Sequence, residues 1–234
     1  MATKRRQRIG ILIIMIVLVA GTLGSFLVMI LSTHSSQQAA ERFQKAQAAY
    51  QKESEAHQKL VDAQGDKLST QYYSGFKQYA DQPAKYDIDS IKSLTKRDLK
   101  VGSGETISDE TKFAVYYIGW DADGKIFDQS IGDGKLKAPF SIDGLKDTAV
   151  IDGWKEGLVG MKIGGVRLLE IPSDKAYGEA GSTDGNGNVT IAPNMPLKFI
   201  VMAIAAPEEI PESEAFLRAS EEYQSAMIQY YTTQ

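Results

Sequence analysis

The chain has 234 residues, with 26 basic and 30 acidic side chains, two histidines and no cysteine, for a formal net charge of −4 at pH 7. Lys4, Arg5, Arg6 and Arg8 precede any acid, so everything after them holds 22 bases against 30 acids. An acidic body cannot neutralise phosphates, which excludes nucleic acid as an expected partner. The lack of cysteine removes disulfides, thiol catalysis, iron–sulfur clusters and thiolate zinc sites.

Residues 1–8 form a basic tail. The 23 residues Ile9–Leu31 that follow carry no charge. At a helical rise of 1.5 Å per residue they would extend roughly 34 Å, enough to cross a hydrocarbon core of about 30 Å. The spacing predicts a transmembrane anchor over 9–31. The cationic flank predicts a cytoplasmic N-terminus, with residues 32–234 on the extracytoplasmic side. A cleavable signal peptide is the competing reading, but its apolar region runs only about 7–15 residues. No small-x-small site closes this one, and a lipoprotein would need a cysteine. A buried helix of a soluble domain would need an apolar partner that the rest of the chain does not offer.

Residues 32–85 read as a helical stalk. Between Ser35 and Tyr79 there is no proline and only two glycines, Gly65 and Gly75, among many Ala, Gln, Lys and Glu. Glu41/Lys45 and Glu55/Lys59 stand at i,i+4 with the acid first, the favourable order. Phe43, Ala46, Tyr50, His57 and Leu60 follow a 3.5-residue spacing that Glu53 interrupts, too broken for a coiled coil. The expectation is a solvated helix holding the next domain off the membrane. The alternative is that its aromatic end, Tyr72, Tyr73, Phe76 and Tyr79, packs on that domain.

From about Tyr86 the pattern turns to period two. Phe113, Val115 and Tyr117 alternate with Lys112, Ala114 and Tyr116; Val166 and Leu168 alternate with Arg167 and Leu169. Leu197, Phe199, Val201 and Ala203 alternate with Lys198, Ile200 and Met202. Bounded by turns such as Asp123-Gly124 and Asn186-Gly187, these runs predict antiparallel strands. Val150–Leu158, carrying Trp154, predicts one short helix. Five or six strands and one helix make an α+β domain with the helix on one sheet face. Residues 207–234 follow: after Pro207 and Pro211, a stripe of Phe216, Ala219, Tyr223, Met227 and Tyr230 predicts an amphipathic helix that packs on the domain, on the stalk or on a partner, with packing within the chain as the first expectation.

Six runs in order carry a family resemblance: VYYIGW at Val115, DGKIFDQS at Asp123, VIDGWKEGL at Val150, GMKIGGVR at Gly160, IPSDKAYG at Ile171 and PLKF at Pro196. Over residues 98–206 the chain resembles the FKBP family of peptidyl-prolyl cis-trans isomerases. The resemblance implies an FKBP-like twisted antiparallel sheet wrapped on one short helix, spanning 86–206. It implies isomerisation of X–Pro bonds in proline-containing polypeptides, with a macrolide as a further candidate ligand, and the expected anchor places this activity in extracytoplasmic protein folding. It places the catalytic set on Tyr117, Phe127, Asp128, Trp154, Tyr177 and Phe199, and substrate contacts on Phe140, Val150, Ile151 and the flap residue Ile191. Trp154 would be the floor, Tyr117, Phe127 and Phe199 the walls, and Asp128 a buried partner of the Tyr117 hydroxyl. The Ile151 N–H and Tyr177 hydroxyl would hold substrate carbonyls.

Taken singly, each aromatic also reads as plain core, and only the full set around one helix points to a cavity for an apolar ring. The chemistry requires neither metal nor cofactor. The only histidines, His34 and His57, lie in the stalk, so no His-dependent site is expected in the domain. Asp184–Asn188 has glycines like a calcium loop, but Val189 and Met195 stand where Gly and Glu are required, and it reads as the turn of a flap hairpin. Gly132-Asp-Gly134 lacks the third glycine of a dinucleotide fingerprint and reads as a loop. Three departures from the family pattern are Ile142, where an aromatic is common, Lys175, where an aromatic or aliphatic residue is common, and a longer Gly178–Ile191 segment. The alternative function is a non-catalytic FKBP-like binding module that recruits a partner to the membrane.

Overall fold

The structure, a computed structural model, describes residues 34–232. The anchor expected over 9–31 and the basic tail lie outside the described residues. Among the described residues no helix is long and apolar enough to cross a membrane. They divide into two compact units, one comprising Glu53–Glu214 and the other the residues up to Lys52 with those from Ala215 on.

Helix α1 (His34–Lys77) runs for 44 residues, as its lack of proline and wealth of helix formers allow. It ends in a turn closed by Tyr79 N–H donating to the Phe76 carbonyl, ahead of Pro83. In the larger unit follow β1 (Thr95–Lys100), β2 (Lys112–Trp120), β3 (Ile126–Gln129), β4 (Ile131–Gly132), β5 (Lys135–Leu136) and β6 (Phe140–Asp143). Then come α2 (Asp152–Leu158), β7 (Val166–Ile171), β8 (Ser182–Thr183), β9 (Val189–Ile191) and β10 (Leu197–Ala205). A six-stranded antiparallel sheet takes the order β1-β7-β10-β2-β3, with β6 also paired to β2. The Gly132-Asp-Gly134 loop is the tip of the β4–β5 hairpin, where Asp133 and Gly134 both take positive φ, 50° and 75°.

Helix α2 lies on one sheet face, over Phe113, Val115, Leu169, Ile171 and Val201, and buries Trp154 and Leu158. Close approach depends on Gly157, where a Cβ would stand 2.8 Å from Leu169 Cδ2. The predicted helix over 150–158 starts at Asp152, because Ile151 is extended (φ −60°, ψ 149°) as its N-cap. The C-terminal end of α2 is closed by the buried Arg167, whose Nη1 donates to the carbonyls of Gly157 (2.8 Å) and Val159 (3.2 Å). Its Nε and Nη2 meet both carboxylate oxygens of Asp98 on β1, at 2.6 and 3.2 Å.

The other face is covered as well. Phe76 of α1 is fully buried with Tyr116, Ile118, Trp120, Val166, Ile200, Met202 and Ile204, and Tyr72, Tyr73 and Tyr79 pack against them. Ser69 Oγ accepts the Leu136 N–H at 2.9 Å, and Asp66 pairs with Lys135 at 2.9 Å. Period-two alternation therefore does not separate an inner from an outer face. From Phe113 to Trp120 only Tyr117 is not fully buried. This part of α1 is not the solvated stalk expected first, but the aromatic-packed alternative. Phe76→Ala is expected to cost about 3–5 kcal/mol, read as a lower denaturant midpoint; an unchanged midpoint would mean that the face needs no cover.

In the smaller unit, helix α3 (Glu214–Thr232) packs on the first turns of α1. Phe43 stacks on Tyr223 and Tyr230 with centroids 5.6 and 5.1 Å apart, and Tyr50 stacks on Tyr223 at 5.2 Å. Tyr50 also meets Phe216 at 5.7 Å. Partners fall in number along α3 as they rise along α1, so the two run antiparallel. Ala39, Ala46, Ala219 and Ala226 fill the space between the rings. The expected amphipathic stripe thus finds its partner within the chain.

Candidate proline-binding pocket

A cavity of about 470 Å³ opens beside α2, lined by Tyr117, Phe127, Asp128, Phe140, Ala149, Val150, Ile151, Trp154, Tyr177 and Phe199. Strand β2 supplies Tyr117, β3 Phe127 and Asp128, β6 Phe140, and β10 Phe199; Tyr177 follows a short turn after β7. Gly119 makes the cluster possible, since a Cβ there would lie 2.6 Å from Phe199 Cε1 and 2.8 Å from Phe127 Cζ.

The rings meet edge to face. Trp154 stands near-perpendicular to Tyr117 (5.3 Å), Phe199 (5.4 Å) and Phe140 (6.2 Å), and Phe127 to Phe199 (5.5 Å). This geometry suits the ring quadrupoles and leaves a walled cavity rather than a filled stack. Trp154 is 5% exposed at the base, whereas Phe140 and Tyr177 are 40% and 39% exposed at the rim.

Polar groups are few. The Tyr117 hydroxyl donates to Asp128 Oδ2 at 2.5 Å. Asp128 was expected to be buried; it is exposed, because β3 lies at the sheet edge. The Ile151 carbonyl accepts from Trp154 N–H at 2.9 Å, while its own N–H makes no backbone hydrogen bond among the described residues. Burial pushes the Tyr117 phenol well up, helped by its bond to Asp128, and burial also raises Tyr177.

Tyr116 on the other sheet face is likewise pushed up, to about 12, by burial. Above pH 10 the unfolded chain loses these phenolic protons before the folded one does, so stability falls as pH rises past 10. Denaturant midpoints are expected to drop between pH 9.5 and 11 and to be insensitive to these groups below; no drop above pH 10 would contradict the burial of Tyr116 and Tyr117.

Nine of the ten residues expected from the sequence line this cavity. Ile191 does not: it is 4% exposed within the main core, because β9 turns it inward. Ile142 is also core, 1% exposed, so its departure from the family pattern does not reshape the wall. Lys175 Nζ is held by Glu156 at 2.6 Å. Ala149 lines the cavity without having been singled out, and as an alanine it carries no distinguishing chemistry. Asp184 bonds Asn186 N–H, Asn188 N–H and Asn188 Nδ2, which commits its carboxylate to the β8–β9 turn. Among the described residues no group of three or more His, Cys, Asp or Glu could hold a metal ion.

Residues 103–204 match the family model described as FKBP-type peptidyl-prolyl cis-trans isomerase. An FK506-binding protein of Neisseria meningitidis is 40% identical over 90 residues, covering 38% of this chain and 79% of that protein. FK506-binding protein 4 of Dictyostelium discoideum is 39% identical over 116 residues, covering 49% of this chain and 29% of that one. The peptidyl-prolyl cis-trans isomerase Mip of Chlamydia trachomatis is 38% identical over 116 residues, covering 50% and 42%. The chain belongs to the FKBP-type peptidyl-prolyl cis-trans isomerase family. It spans only 20–29% of the length of the first curated relatives it matches, and α1 and α3 lie outside the matched stretch.

Proposed function

We propose that the chain is a peptidyl-prolyl cis-trans isomerase acting on proline-containing polypeptides outside the cytoplasm, tethered by residues 9–31. The observation that carries the reading is the edge-to-face aromatic cavity of about 470 Å³ beside one unbonded backbone N–H. Rotation about an amide faces a barrier of about 18–20 kcal/mol, because resonance stiffens the C–N bond. The planar amide is the more polar state, so an apolar pocket that strips its water favours the twisted one. No acid, base, metal or cofactor is needed for that.

In this reading the proline ring enters over Trp154, between Tyr117, Phe127 and Phe199, with Phe140 and Val150 at the mouth. The Ile151 N–H and the Tyr177 hydroxyl donate to the carbonyls on either side of the twisting bond. Asp128 fixes the Tyr117 hydroxyl, turning it away from the ring. A macrolide would compete for the same cavity. The proton state of the two phenols does not change across the physiological range, so the rate should be flat there.

The test is a cis-to-trans assay of the full chain on proline peptides. Acceleration lost in Tyr177→Phe supports the assignment; no acceleration above the spontaneous rate overturns it. Retained peptide binding without acceleration would point instead to a binding module. The tether is tested by protease access in sealed vesicles: an isomerase domain cut only from the cytoplasmic side would refute the proposed orientation.

A further inference from the structure

A second cavity, of about 200 Å³, lies on the sheet face turned away from α2, between the segment after α1 and strand β1. Its floor is apolar: Leu99, Trp120, Leu168 and Ile200. Every charged side chain that lines it, Lys85, Arg97 and Lys198, is positive. Strand register explains the grouping. Arg97, Leu168 and Ile200 stand side by side on β1, β7 and β10, and Lys198 stands opposite both Glu170 and Trp120.

The three cations are not equally committed. Lys198 Nζ is 2.7 Å from Glu170 Oε1. The other oxygen of Glu170 accepts the Thr95 hydroxyl at 2.8 Å. Arg97 is close enough to help Lys198 hold the Glu170 carboxyl below the usual carboxylate range, but among the described residues it forms no ion pair or hydrogen bond with an acid of its own. Lys85 stands 3.9 Å from Asp123, but both side chains are at least 80% exposed and water screens such a pair. Trp120 is 3% exposed, and its indole N–H has no acceptor among the described residues. In a chain of net charge −4, three cations that share Glu170 and a screened Asp123 leave an excess of positive charge over an apolar floor, which selects an anion with an apolar body.

We propose that this cavity binds a carboxylate attached to a small apolar body, either a free organic acid or the C-terminal residue of a polypeptide. Arg97 takes the carboxylate through its planar fork with Lys85 beside it, and the body rests on Trp120, Leu168 and Ile200. The site is independent of the proline pocket, and its test does not depend on isomerase activity.

The chain has two tryptophans, so the full protein labelled with 5-fluorotryptophan gives one fluorine signal for each cavity, told apart by Trp154→Phe. Phenylacetate is expected to move the Trp120 signal saturably, and phenylacetamide to leave it in place. N-acetylglycyl-phenylalanine and its C-terminal amide separate the two sources: saturation at lower concentration than phenylacetate assigns the site to chain ends, the reverse to free acids. Arg97→Gln and, separately, Lys85→Gln are each expected to weaken binding about tenfold; both side chains are exposed, so neither change should disturb folding. A Trp120 signal unmoved by either acid, equal binding of acid and amide, or unchanged affinity in both variants would overturn the proposal.

Discussion

Trp154→Ala is expected to reduce the isomerase rate about a hundredfold, the scale on which loss of reactive geometry acts. The side chain is 5% exposed and touches Tyr117, Phe140 and Phe199 edge-on. Its removal takes away the floor and lets the walls collapse or fill with water, so the amide would no longer be dehydrated on entry. It should also cost about 3–5 kcal/mol of stability, so rates must be compared at equal folded fraction, monitored by circular dichroism. Trp154→Phe separates the two effects, since it retains an apolar ring and should lose no more than about tenfold, within what shape changes cost in a tolerant apolar site. An alanine variant that stays folded and isomerises at the wild-type rate would remove this cavity from consideration as the active site.

The second large effect should be structural. Asp98→Ala is expected to destabilise the larger unit by about 3 kcal/mol, since removing the carboxylate strands the buried guanidinium of Arg167. The Arg167 side chain is 7% exposed and Asp98 35%, which places the cost at the low end of the range. The guanidinium would still reach the carbonyls of Gly157 and Val159, but with its charge uncompensated. Asp98→Asn keeps an acceptor and should cost less than the alanine. Urea denaturation followed by Trp emission reads both; equal midpoints for the wild type and the alanine variant would mean that the pair contributes only packing.

Much of the site is legible in the sequence because its chemistry is spelled by residue type. Aromatics on alternate strand positions and a tryptophan on one short helix converge on one cavity. Legibility fails where a contact depends on a distant segment. Nothing in Tyr116, Ile118 or Trp120 says what covers them; the cover is the aromatic end of α1 with Phe76, a packing that the helix sequence offers only as an alternative to a solvated stalk. Asp128 reads as buried from its aromatic neighbours, yet an edge strand leaves it in water. Ile191 fits the motif position, but the inward turn of β9 takes it into the core. The break in helical spacing at Glu53 has a physical origin too. It falls where α1 stops serving α3 and begins to serve the sheet unit, so one helix carries two unrelated apolar faces in succession.

The covered second face of the sheet also governs how the domain can be cut. A fragment trimmed to residues 103–204, the stretch that matches the family, would lack Phe76 and its aromatic neighbours on α1. Tyr116, Ile118, Trp120, Ile200 and Ile204 would then form one contiguous greasy surface, well beyond what a soluble monomer tolerates. Such a fragment would self-associate even with its pocket intact, and its turnover would fall with concentration for reasons unrelated to catalysis. A fragment retaining Asp66 and everything after it should remain dispersed.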